Sequence, residues 1–64
     1  MDLTERSREE RAAAIRAARA AKRLDQASLA RLADIHQATV SKAEDGRASD
    51  EVFARIERAL GLPS

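Results

Sequence analysis

Apolar side chains recur along this chain at helical rather than strand spacing, and the residues between them mark where each helix starts and stops. Ala12, Ile15, Ala18, Arg19 and Lys22 fall on one stripe of a first helix predicted from about Thr4 to Arg23, with Ser7 and Glu10 at capping-box spacing as an alternative start. Its first turns, within residues 1–10, carry little apolar surface and are expected to fray. Leu24 and Asp25 interrupt the pattern, and the Asp25 carboxylate is suited to accept the free amides of a second helix, Gln26 to Ala33. The inner face of that helix reads as Leu29, Leu32 and Ala33. Asp34, Ile35 and His36 leave room for a turn only. A third helix follows from Gln37 to about Asp45, stopped by Gly46, which accepts a left-handed backbone without steric cost. Ser49 caps a fourth helix whose first turn carries Asp50 and Glu51, with Val52, Phe53, Ile56, Ala59 and Leu60 on one face and Gly61 and Pro63 at its end.

Composition agrees with this all-α reading. The chain has one aromatic residue, few β-branched residues, and abundant Ala, Leu, Arg and Glu. Its 64 residues make a single domain, 1–64, with no internal repeat and no linker. A domain this small buries roughly 60% of the surface its unfolded chain exposes, so its core is thin. With no cysteine and a single histidine, neither disulfides nor a metal centre is expected to staple it, and helix packing, with or without dimerisation, must supply the stability. The cysteine-free composition fits a reducing compartment, no apolar run is long enough for a signal peptide or a membrane span, and a cytoplasmic protein without membrane contact is expected.

Net charge is only +1 and argues nothing about partners, but residues 1–24 carry a basic excess. That excess reads either as a solvated helix laced with ion pairs or as a sequence-independent contact to a nucleic-acid backbone through Arg6, Arg8 and Arg11.

Two short helices joined by a tight turn, the second exposing a polar stripe, are the layout of a helix-turn-helix. On the third helix Val40, Ala43 and Glu44 lie on one side, and Gln37, Ala38, Ser41 and Lys42 on the other. Small side chains at Ala38 and Ser41 allow close approach to the base edges of a duplex. Gln37 has the geometry to bind adenine bidentately, and Lys42 the reach for guanine or a phosphate. The competing reading of this stripe is a merely solvated polar face. Against it stands Glu44, which faces inward by periodicity and is costly to bury without a cation. Arg19, on the inner stripe of the first helix, is the candidate partner, so a partly buried Arg19 to Glu44 ion pair is predicted.

From Ile15 to Leu62 the chain resembles the Cro/repressor (XRE-type) helix-turn-helix family of phage and bacterial regulators. The likeness is carried by the run from Leu24 through Gln26 to Ala30, by the segment from Thr39 through Lys42 and Glu44 to Arg47, and by the closing stretch from Ile56 to Leu62. The resemblance implies a compact four-helix bundle of the lambda-repressor-like type, with a long first helix and without the fifth helix many members carry. It implies base contacts from Gln37, Ala38, Ser41 and Lys42, a phosphate bound by the side chain and backbone amide of Gln26, and His36, Thr39 and Arg47 near phosphates. Arg19 and Glu44 match the family's buried ion pair, and Ala30 the small residue that lets two helices cross closely. Asp34 stands where the family usually has glycine, and Asp tolerates a positive φ only at some cost. Ala33 is smaller than the usual aliphatic.

The family's mode of docking implies double-stranded DNA as partner and a homodimer, at least on DNA, acting on a palindromic operator. Repression by occlusion is the expected consequence, as for a Cro-like or immunity-type regulator. The other roles open to this sequence are the antitoxin of a toxin-antitoxin pair and a helical protein-interaction module that binds no DNA. His36 reads as a surface or capping residue. No nucleophile and base at recognisable spacing, no glycine-rich phosphate loop and no metal-ligand set are apparent, so neither an enzyme nor a cofactor nor a small-molecule ligand is expected.

Overall fold

The computed structural model describes residues 3–63, with side chains described from Ser7 onward. Among these residues the chain forms four helices, α1 (Leu3–Ala21), α2 (Gln26–Ala33), α3 (Gln37–Glu44) and α4 (Asp50–Leu60), and no strand. α1 is helical from Leu3, within the turns expected to fray, and stops at Ala21, short of the predicted Arg23. Lys22, expected on the inner stripe, lies beyond the helix and is exposed.

Each helix begins and ends for identifiable local reasons. Asp25 caps α2, its carboxylate accepting the Ser28 N–H at 2.7 Å, and Ser49 caps α4 by accepting the Val52 N–H at 3.2 Å. All four C-termini close with the same pair of hydrogen bonds, in which the residue two beyond the last turn reaches back across it. The long bonds run from Leu24 N to Arg19 O, Ile35 N to Ala30 O, Arg47 N to Lys42 O and Leu62 N to Glu57 O. This closure needs a left-handed residue just before each of those donors. Gly46 and Gly61 supply it at φ 76° and 75°, but Arg23 and Asp34 adopt it as non-glycine residues, both at φ 57°. Three of the four donors, Leu24, Ile35 and Leu62, are apolar and pack against the core, which ties each turn to the interior.

The core consists of Ala12, Ile15, Leu29, Ala30, Ala33, Val40, Ala43, Phe53, Ile56 and Leu60. Full burial of residues such as Phe53, Ile15 and Leu29 stabilises the fold by about 1.5–3 kcal/mol each. On α2 the buried face is Leu29, Ala30 and Ala33, whereas Leu32, expected inside, is 60% exposed. The buried face of α2 thus carries two alanines beside Leu29, and rotating the helix to bury Leu32 instead would force a larger side chain into the closely packed interior.

Two seams join α1 to the rest of the bundle. At one, Arg11 donates from Nε to Glu57 Oε2 at 3.0 Å and from Nη2 to Glu57 Oε1 at 2.7 Å, while its guanidinium lies 4.9 Å from the centre of the Phe53 ring. At the other, Arg19 meets Glu44. Further along, Gly46 packs on α1, where a β-carbon would come 3.8 Å from the Arg8 carbonyl oxygen and the Glu9 backbone. Among the described residues, no helix is long and apolar enough to cross a membrane, and no cluster of His, Cys, Asp and Glu could hold a metal ion.

Candidate nucleic-acid interface

Ala33 ends α2, Gln37 opens α3, and the left-handed Asp34 between them turns the chain sharply enough for the two short helices to pack together. The elbow leaves an open hollow of about 370 Å³ lined by Ala30, Arg31, Asp34, Ile35 and His36.

Once α3 is fixed against this elbow, its 3.6-residue period decides which side chains face out. Val40, Ala43 and Glu44 are buried. Gln37, Ala38 and Lys42 are exposed and Ser41 is half-buried, forming one continuous outward ridge. Ala38 and Ser41 lower the middle of the ridge, with Gln37 and Lys42 rising at either end. Thr39 is half-buried beside it, and Arg47 is exposed in the loop after α3, 3.9 Å from Asp45. At that distance and exposure the pair contributes little, and the Arg47 guanidinium stays available. His36 occupies the N-cap position of α3 without making a side-chain cap, unlike Asp25 and Ser49. The first amides of α3 are therefore served by no capping side chain.

Glu44 is the hub behind this ridge. Its carboxylate, 5% exposed, receives Arg19 Nε at 2.6 Å and Arg19 Nη2 at 3.1 Å. Gln26 Nε2 donates to the same carboxylate at 3.0 Å. The Glu44 backbone carbonyl accepts from Arg16 Nη1, and Arg19 Nη1 also donates to Leu24 O at 2.9 Å. Burial pushes the Glu44 carboxyl upward, but the hydrogen bonds from Arg19 and Gln26 and the charges of Arg19 and Arg16 leave it below the ordinary glutamate range. Hydrogen bonding to Glu44 likewise raises Arg19. One carboxylate thus joins α1, α2 and α3 at the base of the exposed ridge.

Of the side chains expected to meet DNA, Gln37, Ala38, Lys42, His36 and Arg47 are exposed and Ser41, Thr39 and Gln26 half-buried, with Gln26 differing in that its amide already holds a protein partner. Arg11, read as one of three backbone-contacting arginines, is turned inward and occupied by Glu57, with Asp50 at 3.3 Å. Arg8 is half-buried, its Nε buried without a hydrogen-bond partner, and the side chain of Arg6 lies outside the described residues. The sequence reading missed Glu57. The signal was present, since Glu57 falls between Ile56 and Leu60 on the inner face of α4.

The fold and this ridge define a helix-turn-helix domain. A family model described as helix-turn-helix matches residues 15–64, which span the last two turns of α1 and everything after it. The chain belongs to the Cro/repressor (XRE-type) helix-turn-helix family and is a DNA-binding regulator of that type. No curated protein and no solved structure matches it.

Proposed function

We propose that the protein is a sequence-specific repressor that lays α3 in the major groove of double-stranded DNA and occludes a promoter. The observation that carries this reading is the division of α3 into a buried face and an outward ridge of Gln37, Ala38, Ser41 and Lys42. In the proposed complex these four face base edges, and Gln37 reads adenine through its amide. Gln26, His36, Thr39 and Arg47 flank them on phosphates, which fix register without reading sequence. The uncapped start of α3 supports this, because its free amides and the positive end of the helix suit a phosphate oxygen.

The operator is palindromic and the protein binds it as a homodimer, with half-sites about one helical turn apart. Dimerisation belongs to the DNA-bound state. Among the described residues Leu32 is the one large apolar side chain left exposed, and permanent dimers bury far more apolar surface than that. The role is binding alone, with no catalytic residue, cofactor or metal assigned.

Selection of bound duplexes from a random pool, followed by anisotropy titration of the recovered sequence at two salt concentrations, tests the proposal. A recovered palindrome whose affinity falls steeply with salt supports it. Binding that is absent or insensitive to salt contradicts it and favours a protein-interaction module.

A further inference from the structure

We infer that Glu44 is a positioning residue for phosphate binding, acting through Gln26; the inference rests on the phosphate contact proposed for Gln26 above. The geometry is specific. Gln26 is the first residue of α2, where the backbone N–H has no partner within the helix. Its side chain can present either of two opposite faces to a ligand, a carbonyl oxygen or an amino group. Only the amino group suits a phosphate.

An ionised carboxylate accepts hydrogen bonds and cannot donate them, so Glu44 Oε1, at 3.0 Å, is matched by Gln26 Nε2 and by nothing else on that amide. This fixes the orientation of the amide. One hydrogen of Nε2 is held by Glu44 and the second is turned away from it. Glu44 itself has little freedom, being 5% exposed and gripped by two nitrogens of Arg19. Without the carboxylate the amide is free to rotate and offer its oxygen, which repels a phosphate. The ion pair between α1 and α3 therefore acts on the DNA-facing surface by selecting the donating face of a side chain on α2.

The test is a double-mutant cycle in affinity for the selected duplex, with Glu44→Gln, Gln26→Ala and the double variant. Circular dichroism verifies that each is folded at the measuring temperature. Glu44→Gln removes a negative charge, which by itself strengthens binding to a polyanion. A loss therefore has no simple electrostatic origin. We expect Glu44→Gln and Gln26→Ala each to weaken binding about three- to tenfold, the worth of one hydrogen bond. The double variant should be no weaker than Gln26→Ala alone, and the salt slope should stay unchanged because no cation is lost.

A second measurement needs no variant. In the free wild-type protein the two Gln26 side-chain amide protons should be inequivalent, one protected from exchange, and the other should shift when the duplex is added. The assignment is overturned by losses that add in the cycle, or by side-chain protons that exchange like those of a solvent-exposed glutamine. Wild-type protein that binds no duplex at all overturns the DNA reading itself, and this assignment with it.

Discussion

The two seams that fasten α1 use the same chemistry for different ends. Arg11 with Glu57 joins α1 to α4, and Arg19 with Glu44 joins α1 to α3; in both, a nearly buried glutamate meets two nitrogens of a partly exposed arginine. The α4 seam ends in the core, with the arginine over Phe53. The α3 seam goes on to Gln26 and to the carbonyl end of the helix that carries the outward ridge. On the reading proposed above, such pairs serve stability alone, or stability and binding together, according to what else the carboxylate touches.

Removing each arginine in turn separates the two seams most clearly. Arg11→Ala and Arg19→Ala should each cost about 3 kcal/mol in urea unfolding, because each strands a buried carboxylate. That is close to the whole stability of a domain this size, about 3–5 kcal/mol. Corrected for the folded fraction, Arg11→Ala should bind DNA as wild type does, while Arg19→Ala should bind more weakly. Equal effects on affinity would erase the distinction between the seams.

Acid provides a second test. The Glu44 carboxyl lies below its ordinary value of 4.5, so its contribution to stability is complete above that pH and is lost as pH falls through the folded-state value. The stability advantage of wild type over Glu44→Gln, measured by urea midpoint, should be full at neutral pH and shrink in acid. A constant difference would contradict the assigned cause. Arg16→Ala, which removes an exposed side chain from the Glu44 carbonyl, should cost less than Arg19→Ala, about 1 kcal/mol.

Smaller effects are expected where helices end. Asp34→Gly should stabilise the protein by about 0.5–1 kcal/mol, as glycine takes the left-handed position without strain. Arg23→Gly should do the same, and a loss of stability at either site would mean that the side chain makes an interaction outweighing its backbone strain. Least of all, Leu32→Ala should change stability by no more than about 0.5 kcal/mol, as befits an exposed position.

Much of this was legible in the sequence because the deciding signals are local. Asp25, Ser49 and Gly46 announce the ends of their helices through side-chain size and hydrogen-bonding capacity, independently of the rest of the chain. Glu44 was legible because a charge on an apolar stripe demands a partner. Glu57 gave the same signal on α4, but its partner Arg11 lies among charges of α1 that can satisfy one another along the helix, which hides a long-range pair. Leu32 was misplaced because spacing in so short a helix allows two inner faces, and apolar bulk favours the wrong one. What decided between them was how α2 packs against both α3 and α4, a property of the packed bundle. The bond between Gln26 and Glu44 likewise depends on where three helices meet.

The placement of α3 against DNA is tested most simply by a map of backbone amide shifts on adding the selected duplex to the labelled protein. Changes should concentrate at Gln26 and from His36 to Arg47, with the outer face of α1 and the length of α4 unmoved. Shifts confined to α1 or α4, with Gln37 to Lys42 unperturbed, would contradict it.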